Sequence, residues 1–322
     1  MISVYALCVS VIFGLILFPN FINIFKDHHL GQSIREEGPK AHQKKKGTPT
    51  MGGLVIIITI ILSYIIVINL SKDNHQFYEV LLLILSLFMF GIIGFIDDYL
   101  IIVKKNNNGI SPNMKLFLQI LFSAITFLIY LKISNKTSIN LFNLEIKLGF
   151  LYGIFILLLI TYSSNAVNLT DGLDGLAGGL LIIAFLSFGL LARQKGNETI
   201  YLYCLVTSGA LISFLVFNFY PSKIMMGDTG SLSLGASLAV VSVLLDVEVL
   251  LFIIGMVFLV ETLSVILQVL YYKKTRGKRI FLMAPLHHHF ELKGYSEIKT
   301  VYIFYLMGLI FGTIGYLIGG YL

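Results

Sequence analysis

The chain reads as an all-α, polytopic integral membrane protein of about ten transmembrane helices, with both termini extracytoplasmic and a cytoplasm-facing active-site cleft. Three observations predict this. Hydrophobic residues make up 57% of the 322 positions and the mean hydropathy is +0.88, beyond a soluble globular composition. Uncharged stretches of spanning length, roughly 17–25 residues, recur along the chain. The cations gather in a few loops between those stretches. The net charge of +6 therefore reflects orientation in a lipid bilayer and not nucleic-acid binding.

The first span, residues 3–25, carries no charge. It lacks a basic leader and a small-residue cleavage site, so it is expected to be retained. A basic loop over 26–50 leads to span two, 52–70. Span three, 80–96, ends at Asp97-Asp98, and the next loop closes on Ser111-Pro112, a helix-start signal. Span four covers 115–131. The alternation Leu144-Glu145-Ile146-Lys147-Leu148 predicts a small hairpin within 134–148. Span five, 149–162, runs into a polar stretch, and spans six and seven cover 176–192 and 199–217. The loop 218–231 precedes span eight, 232–245. Span nine, 249–272, is interrupted only by Glu261, and a polar loop over 273–300 leads to span ten, 301–322. Loops after odd-numbered spans hold 17 of the 23 Lys and Arg residues, which places those loops in the cytoplasm. Cys8 and Cys204 fall in apolar runs, predicting buried thiols without a disulfide. One domain is expected over residues 1–322.

The polar residues concentrate on the cytoplasmic side. NAVNLTDGLDGLAGG at 165–179 sets Asn165, Asn168, Asp171 and Asp174 at spacings of three, near one side of a turn or short helix. A merely capped loop needs one such residue. Two amides and two carboxylates, in a chain with 12% charged residues, point to a binding surface. Asp97, Asp98 and Asp228 fall on the same side. Crowded carboxylates repel, so a divalent cation neutralises them or some keep a proton. Hard oxygen ligands favour Mg²⁺, which is typically shared with phosphate oxygens in phosphoryl transfer.

Asp97-Asp98 at a helix C-terminus would oppose the macrodipole. MGDTGS is a tight turn feeding span eight, with Asp228 or Thr229 as its N-cap, and a helix N-terminus also attracts phosphate. Glycines and hydroxyls in GTPTMGG, beside Lys44-Lys45-Lys46, suit an anion cradle without the residue order of a Walker A loop. In PLHHHFE the consecutive histidines diverge, which suits donors to phosphate or sugar, or a proton carrier, better than a metal cage. Glu261 is either functional or a protonated group hydrogen-bonded between helices. A transporter would show internal repeats and polar groups at mid-membrane; only Glu261 lies within a span and no repeat is visible.

Together GPKAHQKKKGTPTMGG, FIDDYL, NAVNLTDGLDGLAGG, MMGDTGS and MAPLHHHFELKG resemble the polyprenyl-phosphate N-acetylhexosamine-1-phosphate transferases, in order and across essentially the whole chain. GTPTMGG and HHHFE are similar to the branch acting on UDP-MurNAc-pentapeptide. The resemblance implies a Mg²⁺-dependent enzyme of the bacterial cytoplasmic (inner) membrane, acting in peptidoglycan synthesis. Its expected reaction joins UDP-MurNAc-pentapeptide and undecaprenyl phosphate to give lipid I and UMP. The alternative is a sibling transferase that uses UDP-GlcNAc.

The same resemblance implies Asp228 as metal ligand and catalytic roles for Asp97, Asp98, Asp228 and His287. It implies substrate contacts at Lys45, Thr50, Asn165, Asn168, Asp171, Asp174, Asn218, Met225, His288 and His289. Asp97 stays open between base, positioning group and nucleophile, and the oligomeric state stays open too, a homodimer included. Three departures from the family pattern stand out. Met225 replaces a Phe associated with uracil stacking, Ile101 a common Lys after DDYL, and Leu282 a basic residue before MAP.

Overall fold

A computed structural model describes residues 2–27, 47–71, 75–104, 109–141 and 144–321. Among them the elements run, in chain order, α1 (Ile2–Asp27), α2 (Gly52–Leu70), α3 (Phe77–Lys104), α4 (Pro112–Tyr130), β1 (Ser138–Leu141), β2 (Leu144–Lys147), α5 (Phe150–Thr170), α6 (Leu176–Gln194), α7 (Glu198–Asn218), α8 (Gly227–Leu244), α9 (Leu250–Ile254), α10 (Met256–Lys274), α11 (Leu286–Leu292) and α12 (Glu297–Gly319). Ten of the helices are long and apolar enough to cross a membrane, which makes this a multi-pass membrane protein. In hydrocarbon a backbone must satisfy its own hydrogen bonds, and an apolar run of this length does so as a helix. The expected hairpin forms, with Ser138 opposite Lys147 in antiparallel register.

Four boundaries differ most from the sequence reading. Helix α3 continues through Asp97-Asp98 to Lys104, because the apolar residues that follow prolong it. The macrodipole argument for that pair therefore does not apply. Helix α5 runs on to Thr170, so Asn165 and Asn168 lie in its last turns. Helix α8 begins earlier than expected, at Gly227, and takes in the whole GDTGS stretch, so its N-cap is Met226 and not Asp228 or Thr229. The ninth span is broken at Gly255 into α9 and α10. Cys204 is fully buried as expected. Cys8 is free but exposed on the outward face of α1, which is packed along only one side.

Helix α8 is the centre of the bundle, with every residue from Thr229 to Val243 buried. Transmembrane helices associate through close packing and interhelical hydrogen bonds, and small residues allow that approach. A Cβ placed on Gly53 would fall 2.0 Å from the Gly230 amide nitrogen, and one on Gly235 would fall 2.5 Å from the Ser163 carbonyl. Ser163 Oγ donates to the Gly235 carbonyl (2.7 Å) and Ser164 Oγ to that of Leu232 (3.1 Å). Tyr203 and Ser237 share a hydrogen bond of 2.5 Å. This packing holds the first turn of α8 against α2, α3 and α5.

Candidate active site

The first turn of α8 carries unpaired N–H groups, as any helix start does. Here a neighbouring helix caps it. Asp98 on α3 accepts from the N–H of Asp228 (3.1 Å), the N–H of Thr229 (3.0 Å) and Thr229 Oγ1 (2.6 Å). A carboxylate at a helix N-terminus is favoured by the macrodipole as well as by these bonds. Both Asp98 oxygens are thus engaged in fixing where Asp228 stands. Thr50 stands beside the same turn, its Oγ1 3.1 Å from where a Cβ on Gly227 would lie. The GTPTMGG segment is joined to this region through its backbone. Gly52 and Gly53 donate to the carbonyls of Met225 and Met226 (2.9 Å each), and Met225 donates to Pro49 (2.8 Å).

Asp228 itself faces a set of polar partners from three other helices. Lys115 of α4 pairs closely with its Oδ2 and lies 3.4 Å from Asp97 Oδ2. Asn168 donates to Asp228 Oδ1 (2.7 Å) and to Ser231 Oγ (2.9 Å). Asp97 also accepts from the Ile110 N–H (2.8 Å). Asp97 and Asp98 are buried, whereas Asp228 and Lys115 keep about a fifth of their side-chain surface open. One ammonium between two carboxylates, contributed by α3, α4 and α8, is the electrostatic centre of this region.

Lys115 was not singled out from sequence. A lone lysine in the first turn of a span reads as a headgroup anchor. The signal for a second role is its position, since a cation at a helix N-terminus opposes the macrodipole. Gln119, one turn further along α4, also escaped notice. It exchanges hydrogen bonds with Asn165 (2.8 and 3.4 Å), while Asn165 also donates to the Thr161 carbonyl (2.8 Å). Both amide hydrogens of Asn165 are therefore used inside the protein, and a substrate contact would require that pair to open.

The loop between α5 and α6 carries Asp171 and Asp174. Burial, followed by the fields of Asp228, Asp98 and Asp174, pushes the Asp171 carboxyl up to about 7. An unfolded Asp titrates near ~4, so between about pH 4 and 7 the folded state holds a proton that the unfolded chain has lost. Stability from this group is thus expected to fall as pH rises through that window. Asp171→Asn should remove the slope. In metal-free detergent its melting temperature relative to wild type should climb from pH 5 to pH 7, and a constant difference would refute this.

Asp174 accepts from the Ser222 N–H (3.0 Å), and its own N–H donates to Glu297 (2.7 Å). Asn218 accepts from the Gly175 N–H (2.9 Å) and donates to the Ile224 carbonyl (2.8 Å). These two residues tie the 171–175 loop to the 218–226 loop. Met225 is half-buried there, its sulfur accepting from Ser222 Oγ (3.3 Å).

The histidine run forms α11 and closes on the same loop from the other side. Glu261, fully buried in α10, accepts from the N–H groups of Leu286 (2.7 Å) and His287 (3.2 Å). The intramembrane carboxylate thus seats α11. The His287 ring is fully buried, with Nδ1 3.3 Å from Glu261 and Nε2 2.2 Å from the position of a Cβ on Gly172. That close approach explains the glycine. His288 bonds to Glu291 (3.0 Å), and His289 Nδ1 accepts from the Leu282 N–H (3.1 Å). Lys45 lies outside the described residues.

No three His, Cys, Asp or Glu side chains among the described residues form a metal cage. Mg²⁺ does not need one, since it is often held by one or two carboxylates together with substrate phosphates. Asp228 and Asp97 meet that requirement. The Lys115 ammonium already stands between them and offsets their charge.

Comparison with known proteins bears on what this arrangement serves. Residues 80–246 match the model of glycosyl transferase family 4, and residues 45–57 match phospho-N-acetylmuramoyl-pentapeptide-transferase signature 1. A Staphylococcus carnosus protein named phospho-N-acetylmuramoyl-pentapeptide-transferase is 49% identical over 98% of this chain and 99% of its own length. Proteins of the same name from Staphylococcus epidermidis and a Geobacillus species are 47% and 43% identical, covering 99% and 98% of this chain and 99% and 97% of their own lengths. Identity at this level from end to end, with the family model over residues 80–246, shows that the chain belongs to the phospho-N-acetylmuramoyl-pentapeptide-transferases of glycosyl transferase family 4.

Proposed function

We propose that this chain transfers phospho-MurNAc-pentapeptide from UDP-MurNAc-pentapeptide to undecaprenyl phosphate at the cytoplasmic face of a bacterial inner membrane. The observation that carries the mechanism is the Lys115 ammonium set between Asp97 and Asp228. An oxygen of the lipid phosphate attacks the sugar-linked phosphorus of the nucleotide. The bond from that phosphorus to the bridging oxygen breaks, and UMP leaves. Two negative reactants must approach each other, so positioning and neutralisation dominate the task.

Asp228, with Asp97, would hold Mg²⁺, which when bound supplies positive charge against the pyrophosphate. Lys115 contributes a second cation at the same place. Asp98 keeps the first turn of α8 in position, and Asn168 orients Asp228. The 168–175 stretch, with the loop bearing Asn218 and Met225, would face the nucleotide, and Asn165 would join it only once its pair with Gln119 opens. Thr50, and Lys45 from the sequence, would serve the nucleotide's phosphates. His287 supports the loop through Gly172, and His288 and His289 extend the surface toward the sugar.

A phosphate monoester has a second pKa of about 6, so the lipid phosphate is already mostly a dianion at neutral pH. Asp97 then acts by holding, with Asp228, the positive charge that places that dianion, and direct attack needs no covalent enzyme intermediate. Purified protein with Mg²⁺ and UDP-MurNAc-pentapeptide should release UMP only when undecaprenyl phosphate is added. A UMP burst equal to the enzyme concentration without lipid would overturn direct attack and make Asp97 a nucleophile. UDP-GlcNAc in the same assay should give no UMP; turnover there would favour the sibling reaction.

A further inference from the structure

The far end of the bundle carries a second polar cavity. It has a volume of about 330 Å³ and its lining includes His75, Glu79, Lys195, Asn197, Glu198 and Thr199. Glu79 lies on α3 eighteen residues before Asp97, about 27 Å along the helix. The two sites are therefore at opposite ends of the same helix.

Glu79 is the unusual member. The residue is only 5% exposed. Its only hydrogen-bond donor among the described residues is the Asn197 amide, spread over both oxygens at 3.2 and 3.3 Å. The other end of that amide caps α7 by accepting from the Ile200 N–H (2.9 Å). No cation among the described residues lies within ion-pair distance of Glu79. A buried carboxylate normally has a counter-charge and more than one good donor. This one faces an open, polar cavity instead, so the missing charge can come from a ligand.

The surroundings narrow the ligand. Lys195, which is exposed, and Glu198 line the same cavity, so it offers one cation as well as two carboxylates. A zwitterion with an ammonium toward Glu79 and an anion toward Lys195 suits both charges. Leu70 and Phe77, at the adjoining ends of α2 and α3, are 55% and 71% exposed, and Tyr78 is 45% exposed beside them. Exposed aromatic residues at the ends of transmembrane helices mark the headgroup level of a bilayer. We propose that this cavity binds the headgroup of a phospholipid that carries a primary ammonium, with Glu79 as counter-ion and Lys195 toward the phosphate.

The full chain in nanodiscs provides the test. Protein would be reconstituted in phosphatidylglycerol mixed with either phosphatidylethanolamine or phosphatidylcholine, and co-purifying lipid counted by native mass spectrometry. Wild type should retain phosphatidylethanolamine in preference to phosphatidylcholine, whose quaternary ammonium has no N–H to donate. Glu79→Gln, which keeps shape and loses charge, should lose that preference, and Lys195→Gln should weaken retention of both lipids. An unchanged melting temperature in detergent would show that the variants are folded. If Glu79→Gln does not fold, the wild-type preference and Lys195→Gln still decide the question. Absence of preference in wild type, or its persistence in Glu79→Gln, would overturn the proposal. Saturation of the cavity by free phosphoethanolamine, with no lipid preference, would assign it to a soluble zwitterion and refute the lipid assignment.

Discussion

Asp228→Asn is expected to lower kcat by about 10²–10³-fold, the loss typical of removing one preorganised electrostatic group. The change keeps the shape of the side chain. It also keeps the backbone N–H that Asp98 caps, so α8 should stay in place. What disappears is a negative charge that holds Lys115 and that would hold the metal. The rate should therefore fall far more than the melting temperature, and raising Mg²⁺ should recover little of it. Steady-state kinetics beside a melting curve in the same detergent would measure both. A variant within tenfold of the wild-type rate would remove Asp228 from the centre of the reaction.

The largest structural effect is expected from Gly94→Ala. A Cβ at this position on α3 would lie 2.2 Å from the Asp228 carbonyl oxygen and 2.4 Å from the Thr229 nitrogen. These are backbone atoms, so no rotamer change relieves the clash. Helix α3 must move away from α8, at a cost of about 1–3 kcal/mol or more. The same movement pulls Asp98 from the N–H groups it caps and shifts Asp228, so stability and activity should be lost together. Gly91→Ala, one turn earlier, is the control. Its Cβ would meet only the terminal Cδ1 of Ile57 at 2.6 Å, which can rotate aside. Equal melting temperatures for the two variants would show that the α3–α8 approach is looser than the geometry requires.

The sequence alone determined the class of protein, because burial in lipid leaves a one-dimensional trace. Length and apolarity predict a span without knowledge of its neighbours. Nine of the ten expected spans each correspond to one spanning helix, and the ninth in order corresponds to α9 plus α10. Motifs such as MGDTGS and NAVNLTDGLDGLAGG were visible as dense polar islands in an apolar chain, and the end-to-end relatives agree with the family that they suggested.

Only the tertiary structure decided how those polar residues divide the work. Asp97 and Asp98 are adjacent and chemically identical, yet one turns to Lys115 and the other caps α8, because consecutive residues on a helix point to different neighbours. Lys115 could not be told from a headgroup anchor until α4 was seen beside Asp228. Asn165 looked equivalent to Asn168 at a spacing of three, but it is committed to Gln119 across the α4–α5 interface. Glu261 and Glu79 were each a single charge near or within an apolar run. One seats the N–H groups of α11, and the other lines a polar cavity with no cation of the described residues within ion-pair distance. Hydropathy along a chain records how much of each residue meets lipid. It carries no record of which polar group will stand opposite another once the helices have packed.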